Sequence, residues 1–485
     1  MGTDFSGDVI SLRNCIQDGL SLINSMGRED IIYVISHIDA DGISTAGIIT
    51  KLLSLLDKPF VVKFVTQLRP DIIRDLQETI EPRELIFCDL GSGQLEFLTK
   101  ILHSATRMLI LDHHIPRELL GNIPFKLVHL NSWLYGIKGD SESSSSSMAY
   151  LLARPLAYQG VSEIFHLARY ALVGALGDNQ DIGHNRSLIG LNKLIKDEAE
   201  EKNIVKTRID IILNGREIKP LYQALAETFN PLIPGISGSL EGSAKFIISL
   251  GLSRGGLDIE RLSLNDLSEE KKALLVEKIL ERISLSYPGK QVLERIRTKL
   301  LGYIYEFPNE KGLLKYGRDF ATLLNACGRM DHPGIGLSLI INEFNMDAYN
   351  KALSIYKQYK YTISNMLSRI NDLLEKRGAL AIIDGREFIN EKIASPIASI
   401  ISQSLNEPTI VVVLSKSTND YVKVSIRRTS LLENIDVRRI LEKTLSNLPD
   451  TYYGGHEAAA GAYIPNEKVD KFIADLDKAL NLDRS

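Results

Sequence analysis

Short apolar runs alternate with amphipathic stretches through the first third of the chain. IIYVIS (Ile31 to Ser36) is rich in β-branched residues, and ISTAGIITKLLSLL after it repeats its apolar positions at helical spacing. FVVKFV, ELIFCDL, RMLILD and FKLVHL follow, separated by turn residues or helical patterns. Near-continuous apolar strands between helices predict a mostly parallel sheet covered on both faces. In such a sheet, ligands gather at the carboxyl ends of the strands.

The pattern changes between about Asp197 and Asn345. KDEAEEK reads as a solvated helix end, and Pro231 to Gly256 is dense in glycine and proline, as loops among helices are. Asp347 to Arg377 then runs without either residue, and one helix over that stretch would extend roughly 45 Å. After Gly378, ALAIIDG, TIVVVLS and YVKVSIRR predict strands, with helical PIASIISQSL, VRRILEKTLSNL and EKVDKFIADLDKAL among them. The predicted fold is α/β. It has a parallel-sheet domain over 1–200, a helical and loop-rich extension of that lobe over 201–345, a long connecting helix over 346–378 and a smaller α/β domain over 379–485. The serine run Ser143 to Ser147 reads as a flexible loop and helix N-cap.

Composition narrows the function classes. The 485 residues suggest roughly three folding units, and 44% apolar with 24% charged residues excludes a disordered or fibrous chain. Lys plus Arg total 57 against 61 for Asp plus Glu, so the formal charge is −4 and any nucleic-acid contact has to be local. Three cysteines (Cys15, Cys88, Cys327) in no CxxC pair exclude a disulfide scaffold and a thiolate zinc site. No apolar run approaches the ~20 residues of a membrane span, and no signal-like segment opens the chain. The expected compartment is a reducing cytoplasm.

Three of the early strands run into acidic or histidine residues: His37-Ile38-Asp39-Ala40-Asp41, Asp89, and Asp112-His113-His114. The helical YALVGALG delivers Asp178. Such residues are costly continuations of buried strands, because an unpaired charge there loses its hydration. One strand-ending Asp is an ordinary turn or cap; three in succession point to a site. Carboxylates with imidazoles suit hard divalent cations and tilt the choice from Mg²⁺ toward Mn²⁺. Two such ions about 3.5–4 Å apart can share a carboxylate and act on a phosphodiester. In extended or loop backbone, residues two apart point the same way, so His37, Asp39 and Asp41 are expected to face one cavity.

In order and context these segments resemble the four motifs of the DHH phosphoesterase superfamily. The resemblance implies one metal held by His37, Asp39 and Asp89 and another by Asp41, Asp89, His113 and Asp178. It places His114 near the scissile phosphate and has Asp112 orient the histidines. Gly454-Gly455-His456-Glu457-Ala458-Ala459-Ala460-Gly461 resembles the GGHxxAAG signature of the DHH-associated domain, and KVSIRR its Ser-x-Arg strand. Gly454, Gly455, His456 and Arg427 are thereby implied to contact substrate phosphate. Asn325 and Arg329, in NACGRM, resemble a segment of RecJ-type nucleases that lines the substrate path. The moderate length and the PGISG loop resemble the archaeal, GINS-associated branch.

The function this implies is a Mn²⁺-dependent exonuclease, with Mg²⁺ as the alternative ion, acting on single-stranded DNA or RNA in replication or repair. Two rivals stand beside it: a hydrolase of very short RNA or pAp, and a replication scaffold that binds GINS. His103, His129, His166 and His184 are expected to be ordinary surface or satisfied core histidines, and Cys88 and Trp133 to pack, while His184, Asp181 and His332 matter only if the fold brings them to the site.

Overall fold

Apolar patterning in the first third produces five parallel strands: β1 (Ile32–His37), β2 (Phe60–Val65), β3 (Glu84–Cys88), β4 (Arg107–Asp112) and β5 (Lys126–Asn131). Their order in the sheet is β2-β1-β3-β4-β5. The computed structural model describes residues 8–27, 30–117, 123–229, 231–253, 257–285, 290–342, 345–370, 373–405, 407–417, 420–429, 431–432, 434–446 and 448–482. The chain forms two compact units, Met1–Ile212 with Leu301–Lys357, and Leu213–Leu300 with Gln358–Ser485.

In the first unit, α1 (Val9–Ser25), α2 (Ala40–Leu55), α3 (Pro70–Ile80), α4 (Leu95–Ile101), α5 (Ser145–Tyr158), α6 (Ala168–Gly177) and α7 (Gly190–Glu201) accompany the sheet. Ile35, Phe87 and Ile110 point to one face of the sheet and join Ile73, Leu76, Leu95 and Leu98 in a buried core. Helix α2 is buried around its whole circumference from Ala40 to Thr50, as a helix apolar on every side must be. Strand β6 (Lys206–Ile211) precedes the 213–300 segment, which holds α8 (Leu221–Ala226), α9 (Leu240–Ser249), α10 (Leu257–Arg261), α11 (Glu269–Ser284) and α12 (Lys290–Leu300). The loops expected among these helices end on residues 254–256, which lie outside the described residues.

The chain then re-enters the first unit as β7 (Leu301–Glu306), antiparallel to β6, followed by α13 (Gly317–Arg329) and α14 (Pro333–Ile341). Both helices pack on α2. The extension expected over 201–345 is therefore divided: residues 213–300 cluster with the second unit. A Cβ on Gly328 would stand 1.6 Å from the Ile38 carbonyl oxygen, so α13 lies directly on the loop between β1 and α2. Overpacking of this kind costs about 1–3 kcal/mol. Gly328→Ala is expected to lower the thermal midpoint by at least about 2–4 °C. An unchanged midpoint in thermal unfolding would show that the loop yields freely.

The connecting helix, α15 (Met346–Ile370), is shorter than the expected 346–378. Leu374–Arg377 is instead β8, an antiparallel hairpin partner of β9 (Leu380–Asn390), because backbone pairing across the Gly378 turn outcompetes further helix. β8 is the edge of a six-stranded sheet with the order β12-β13-β11-β10-β9-β8. Its other strands are β10 (Ile410–Lys416), β11 (Tyr421–Arg428), β12 (Tyr452–His456) and β13 (Ala459–Pro465). Helix α16 (Glu391–Ser404) packs on β10 and β11. Val412, Val424, Ile426, Ala460 and Ala462 instead meet α17 (Val437–Leu445) and α18 (Val469–Leu482) in the second core. Among the described residues, no helix is long and apolar enough to cross a membrane.

Candidate active site

Three adjacent strands end level with one another. Ser36 of β1 pairs with Cys88 of β3, and Cys88 with Leu111 of β4, so His37, Asp89 and Asp112 leave the sheet side by side. Asp89 adopts left-handed backbone with φ 62°, which side chains other than those of Asn, Asp and Gly rarely tolerate. Its N–H donates to the Leu111 carbonyl at 2.8 Å. The fold holds this residue in an unfavourable conformation, a feature that clusters at functional positions.

The side chains converge on Asp89. His37 Nδ1 lies 2.9 Å from Asp39 Oδ2 and 3.2 Å from Asp89 Oδ2. His113 Nε2 lies 3.4 Å from Asp89 Oδ1 and 3.2 Å from Asp178 Oδ2. Asp178 is the C-cap of α6. His114 Nδ1 sits 2.7 Å from Asp112 Oδ1 and 4.0 Å from Asp89 Oδ1. In each of the groups His37–Asp39–Asp89, Asp41–Asp89–His113 and Asp89–Asp112–His114, the candidate ligand atoms lie within 4.8 Å of one another. Asp89 belongs to all three.

The chain leaves β1 after His37 through a bend at Ile38 and Asp39, but Asp41 is on helix rather than on the extended or loop backbone expected for it. Asp39 is the N-cap of α2, accepting from the Gly42 N–H at 3.0 Å, and Asp41 already lies in the first helical turn. Asn325 of α13 accepts from the Ala40 N–H at 3.1 Å and so fixes the start of α2. Arg329, one turn along α13, puts its charge beside Asp39, while its Nε and Nη1 have no partner among the described residues.

A second layer orients the histidines. Asp112 accepts from Ser92 N at 2.9 Å, His113 N at 2.8 Å and His114 N at 3.2 Å. His113 Nδ1 donates to the Gly139 carbonyl at 2.5 Å, which leaves Nε2 as the face turned to the carboxylates. Gln180 reinforces that carbonyl at 2.8 Å and is itself held by Asn192 at 2.6 Å. Trp133 Nε1 donates to the His113 carbonyl at 2.8 Å, and His129 pairs with Ser92 Oγ at 2.7 Å. Cys88 is buried. Asp181 is committed to Arg186 at 2.9 Å and to Arg318 Nε at 3.0 Å. His332 is an exposed N-cap of α14.

The charges of the cluster act strongly on one another. Burial, with the neighbouring charges of Asp89 and Asp178, raises the Asp41 carboxyl to about 8. Burial also raises Asp178, with only partial relief from His113. Burial alone would lower His37, but Asp39 and Asp89 outweigh it and hold its pKa well above the ordinary value. Asp178 and Asp89 do the same for His113. Asp39 and Asp112 move the other way despite burial, lowered by His37 and by His114 respectively. Carboxylates forced together in this way call for a cation. Oxygen and imidazole donors in one shell fit a divalent metal, and the residues are positioned to hold one.

Arg427, Gly454, Gly455 and His456 belong to the second unit. Arg427 of β11, Ala459 of β13 and His456 of β12 are in register, as are Ser425, Gly461 and Gly454 in the next row. Directly paired residues share a face. That face is the one on which Arg427 Nε donates to Ser399 Oγ at 3.1 Å and Nη2 to Ser395 Oγ at 2.5 Å, both on α16. The result is a floor of glycine and alanine between an arginine and a histidine. Lys423, one row further, stands with its Nζ 4.3 Å from the Tyr463 ring centroid.

One group of residues at the first site was not legible as functional. Ser143 to Ser147, expected as a flexible loop and cap, are at most 1% exposed, and Ser144 does cap α5. Ser145 N and Ser146 N donate to Asp41 at 2.7 and 3.0 Å, and Ser145 Oγ donates to Asp89 at 2.9 Å. The only sequence signal was the unusual density of hydroxyls before an apolar helix.

Residues 31–175 match the DHH family, N-terminal domain, and residues 376–482 match the DHHA1 domain. An uncharacterized protein of Methanocaldococcus jannaschii is 28% identical over 453 residues, 93% of each chain. Among solved structures, CDC45 from Entamoeba histolytica superposes with a TM-score of 0.63 at 13% identity, over 96% of this chain and 99% of that one. RecJ from Thermus thermophilus in complex with Mn²⁺ superposes with a TM-score of 0.57 at 16% identity, over 96% of this chain. The chain spans only 55% of that RecJ. At these identities the likeness is one of fold.

Proposed function

The chain belongs to the DHH superfamily and is RecJ-like, and from this premise we propose that it is a Mn²⁺-dependent exonuclease releasing mononucleotides from single-stranded DNA, RNA or both. The observation that carries the reading is the convergence of Asp39, Asp41, Asp178, His37 and His113 on one shared carboxylate, Asp89.

Under this reading His37, Asp39 and Asp89 hold one ion, and Asp41, Asp89, His113 and Asp178 hold the other. When bound, such a pair would polarise a phosphoryl oxygen and lower the pKa of a water so that it could give up a proton to solvent and supply hydroxide as the nucleophile at neutral pH. The protein's own groups do the rest. Asp112 takes up His114 Nδ1 and thereby turns the ring's Nε2 outward, and His114 is 39% exposed, enough to reach a substrate. Burial opposes protonation of His114, but Asp112 overcomes it and raises the pKa, so the ring can donate a hydrogen bond to the scissile phosphate. Arg329 puts its charge beside Asp39, where it suits a nucleic-acid phosphate. In the second unit, Arg427 and His456 flank a glycine floor on which a phosphate can approach backbone closely.

Digestion of single-stranded DNA and RNA, each labelled at either end, with Mn²⁺ or Mg²⁺, tests the proposal. Mononucleotides released from one end, faster with Mn²⁺, are expected. Activity confined to oligomers of a few nucleotides would favour the short-RNA or pAp hydrolase instead. No hydrolysis, together with a stable complex with GINS, would favour the scaffold reading that the CDC45 likeness supports.

A further inference from the structure

The serine run before α5 does more than start a helix. Asp41 Oδ1 accepts from Ser146 N at 3.0 Å and from Ser146 Oγ at 2.5 Å, and Oδ2 accepts from Ser145 N at 2.7 Å. A carboxylate offers roughly four acceptor sites, two per oxygen. Three are thus taken, and the one left is on Oδ2. The Ser145 hydroxyl turns the other way and donates to Asp89 Oδ1 at 2.9 Å. One helical turn therefore grips two carboxylates at once, with the positive end of the helix dipole behind it.

Neighbouring elements make room for this grip. A Cβ on Gly174 of α6 would stand 2.1 Å from Ser146 Oγ and 2.3 Å from Asp41 Oδ1. Helix α6 crosses there without a side chain, and the Ser146–Asp41 pair fills the space.

We propose that Ser145 and Ser146 are positioning residues of the metal centre: they fix Asp41 and Asp89 and leave Asp41 a single acceptor site, on Oδ2, for one cation. The inference rests on the two-ion reading above. It distinguishes the ions, because Asp41 belongs to one of them only, and the Ser145 hydroxyl holds Asp89 by Oδ1, the oxygen turned to His113, while His37 faces Oδ2.

The test is Mn²⁺ titration of the metal-free full chain, with free Mn²⁺ followed by electron paramagnetic resonance. Wild type is expected to bind two ions. Ser145→Ala and Ser146→Ala are each expected to weaken one of them about 10-fold or more, the usual effect of losing a partner of a ligand, and to leave the other unchanged. Ser44→Ala serves as control, since the buried Ser44 hydroxyl has no partner among the described residues. It is expected to bind both ions as wild type does. Wild type that binds no Mn²⁺ would overturn the two-ion reading. Wild type binding two ions, with both serine variants matching it, would overturn the positioning role alone. If a variant unfolds at the working temperature, its thermal midpoint is followed against Mn²⁺ concentration. A dependence as steep as that of wild type would overturn the role, and a weaker one would support it.

Discussion

Asp89→Asn is expected to lower Mn²⁺-dependent hydrolysis of single strands by at least about 10³-fold, the upper range for losing one electrostatic element of an active site. Asp89 is the one carboxylate shared by the groups His37–Asp39–Asp89, Asp41–Asp89–His113 and Asp89–Asp112–His114, so its loss strikes both ions. Asn is preferred to Ala because position 89 has φ 62°, where an amide side chain is tolerated and Ala is strained. Asn also retains an acceptor for the Ser145 hydroxyl, which now donates to Asp89 at 2.9 Å. The variant is expected to keep the wild-type thermal midpoint without metal. Steady-state rates on an end-labelled strand, read beside thermal unfolding, separate chemistry from folding. Undiminished activity would remove Asp89 from the chemistry.

The second large effect follows from the charges. Removal of divalent ions by a chelator is expected to abolish hydrolysis, and Mn²⁺ to restore it. The metal-free protein should also lose stability as pH rises from about 6 to about 9, across the ordinary histidine range and beyond. The Asp41 carboxyl is raised to about 8, so the fold favours its protonated form. That contribution is complete below the ordinary carboxylate range and is lost as pH climbs through 8. His37 and His113, held well above their ordinary value, contribute below it and lose the contribution as pH climbs further. Asp39 and Asp112 are lowered, so their contribution disappears only in acid, outside this window. A bound cation takes the place of the protons. The rise in thermal midpoint on adding Mn²⁺ should therefore be larger at alkaline than at mildly acidic pH, and an equal rise at both would contradict the charge argument.

The parallel sheet and the convergence at its carboxyl edge were legible in the residues. Apolar runs that stop at His37, Asp89 and Asp112 state both the strand and its end, because a buried strand cannot continue through an unpaired charge. The motif resemblance anticipated that Asp41 and Asp178 join them. What could not be read depends on contacts distant in sequence. Nothing local separates a serine run in solvent from one buried against Asp41, more than a hundred positions earlier. The end of α15 was hidden because apolar residues continue at helical spacing past Ile370, and the β8–β9 hairpin decides the matter. Residues 213–300 look like a continuation of the first lobe because the changes in pattern, near Asp197 and Pro231, do not fall where the chain leaves it.

Neither compact unit is a continuous stretch of chain, and this orders events during synthesis. The segment 213–300 leaves the ribosome between the two pieces of the first unit. Strand β6 must wait for β7 to be made before it has its partner. The side chains of the acidic and histidine cluster, up to Asp178, emerge early, but the helix that caps α2 through Asn325 and seats Gly328 on Ile38 arrives much later. A nascent chain thus passes through a stage in which the acidic cluster is already synthesised and α2 still lacks the cover of α13 and α14, with apolar surface open to wrong partners. Assembly of a competent site is consequently a late step, completed only once the chain has returned to the lobe where it began.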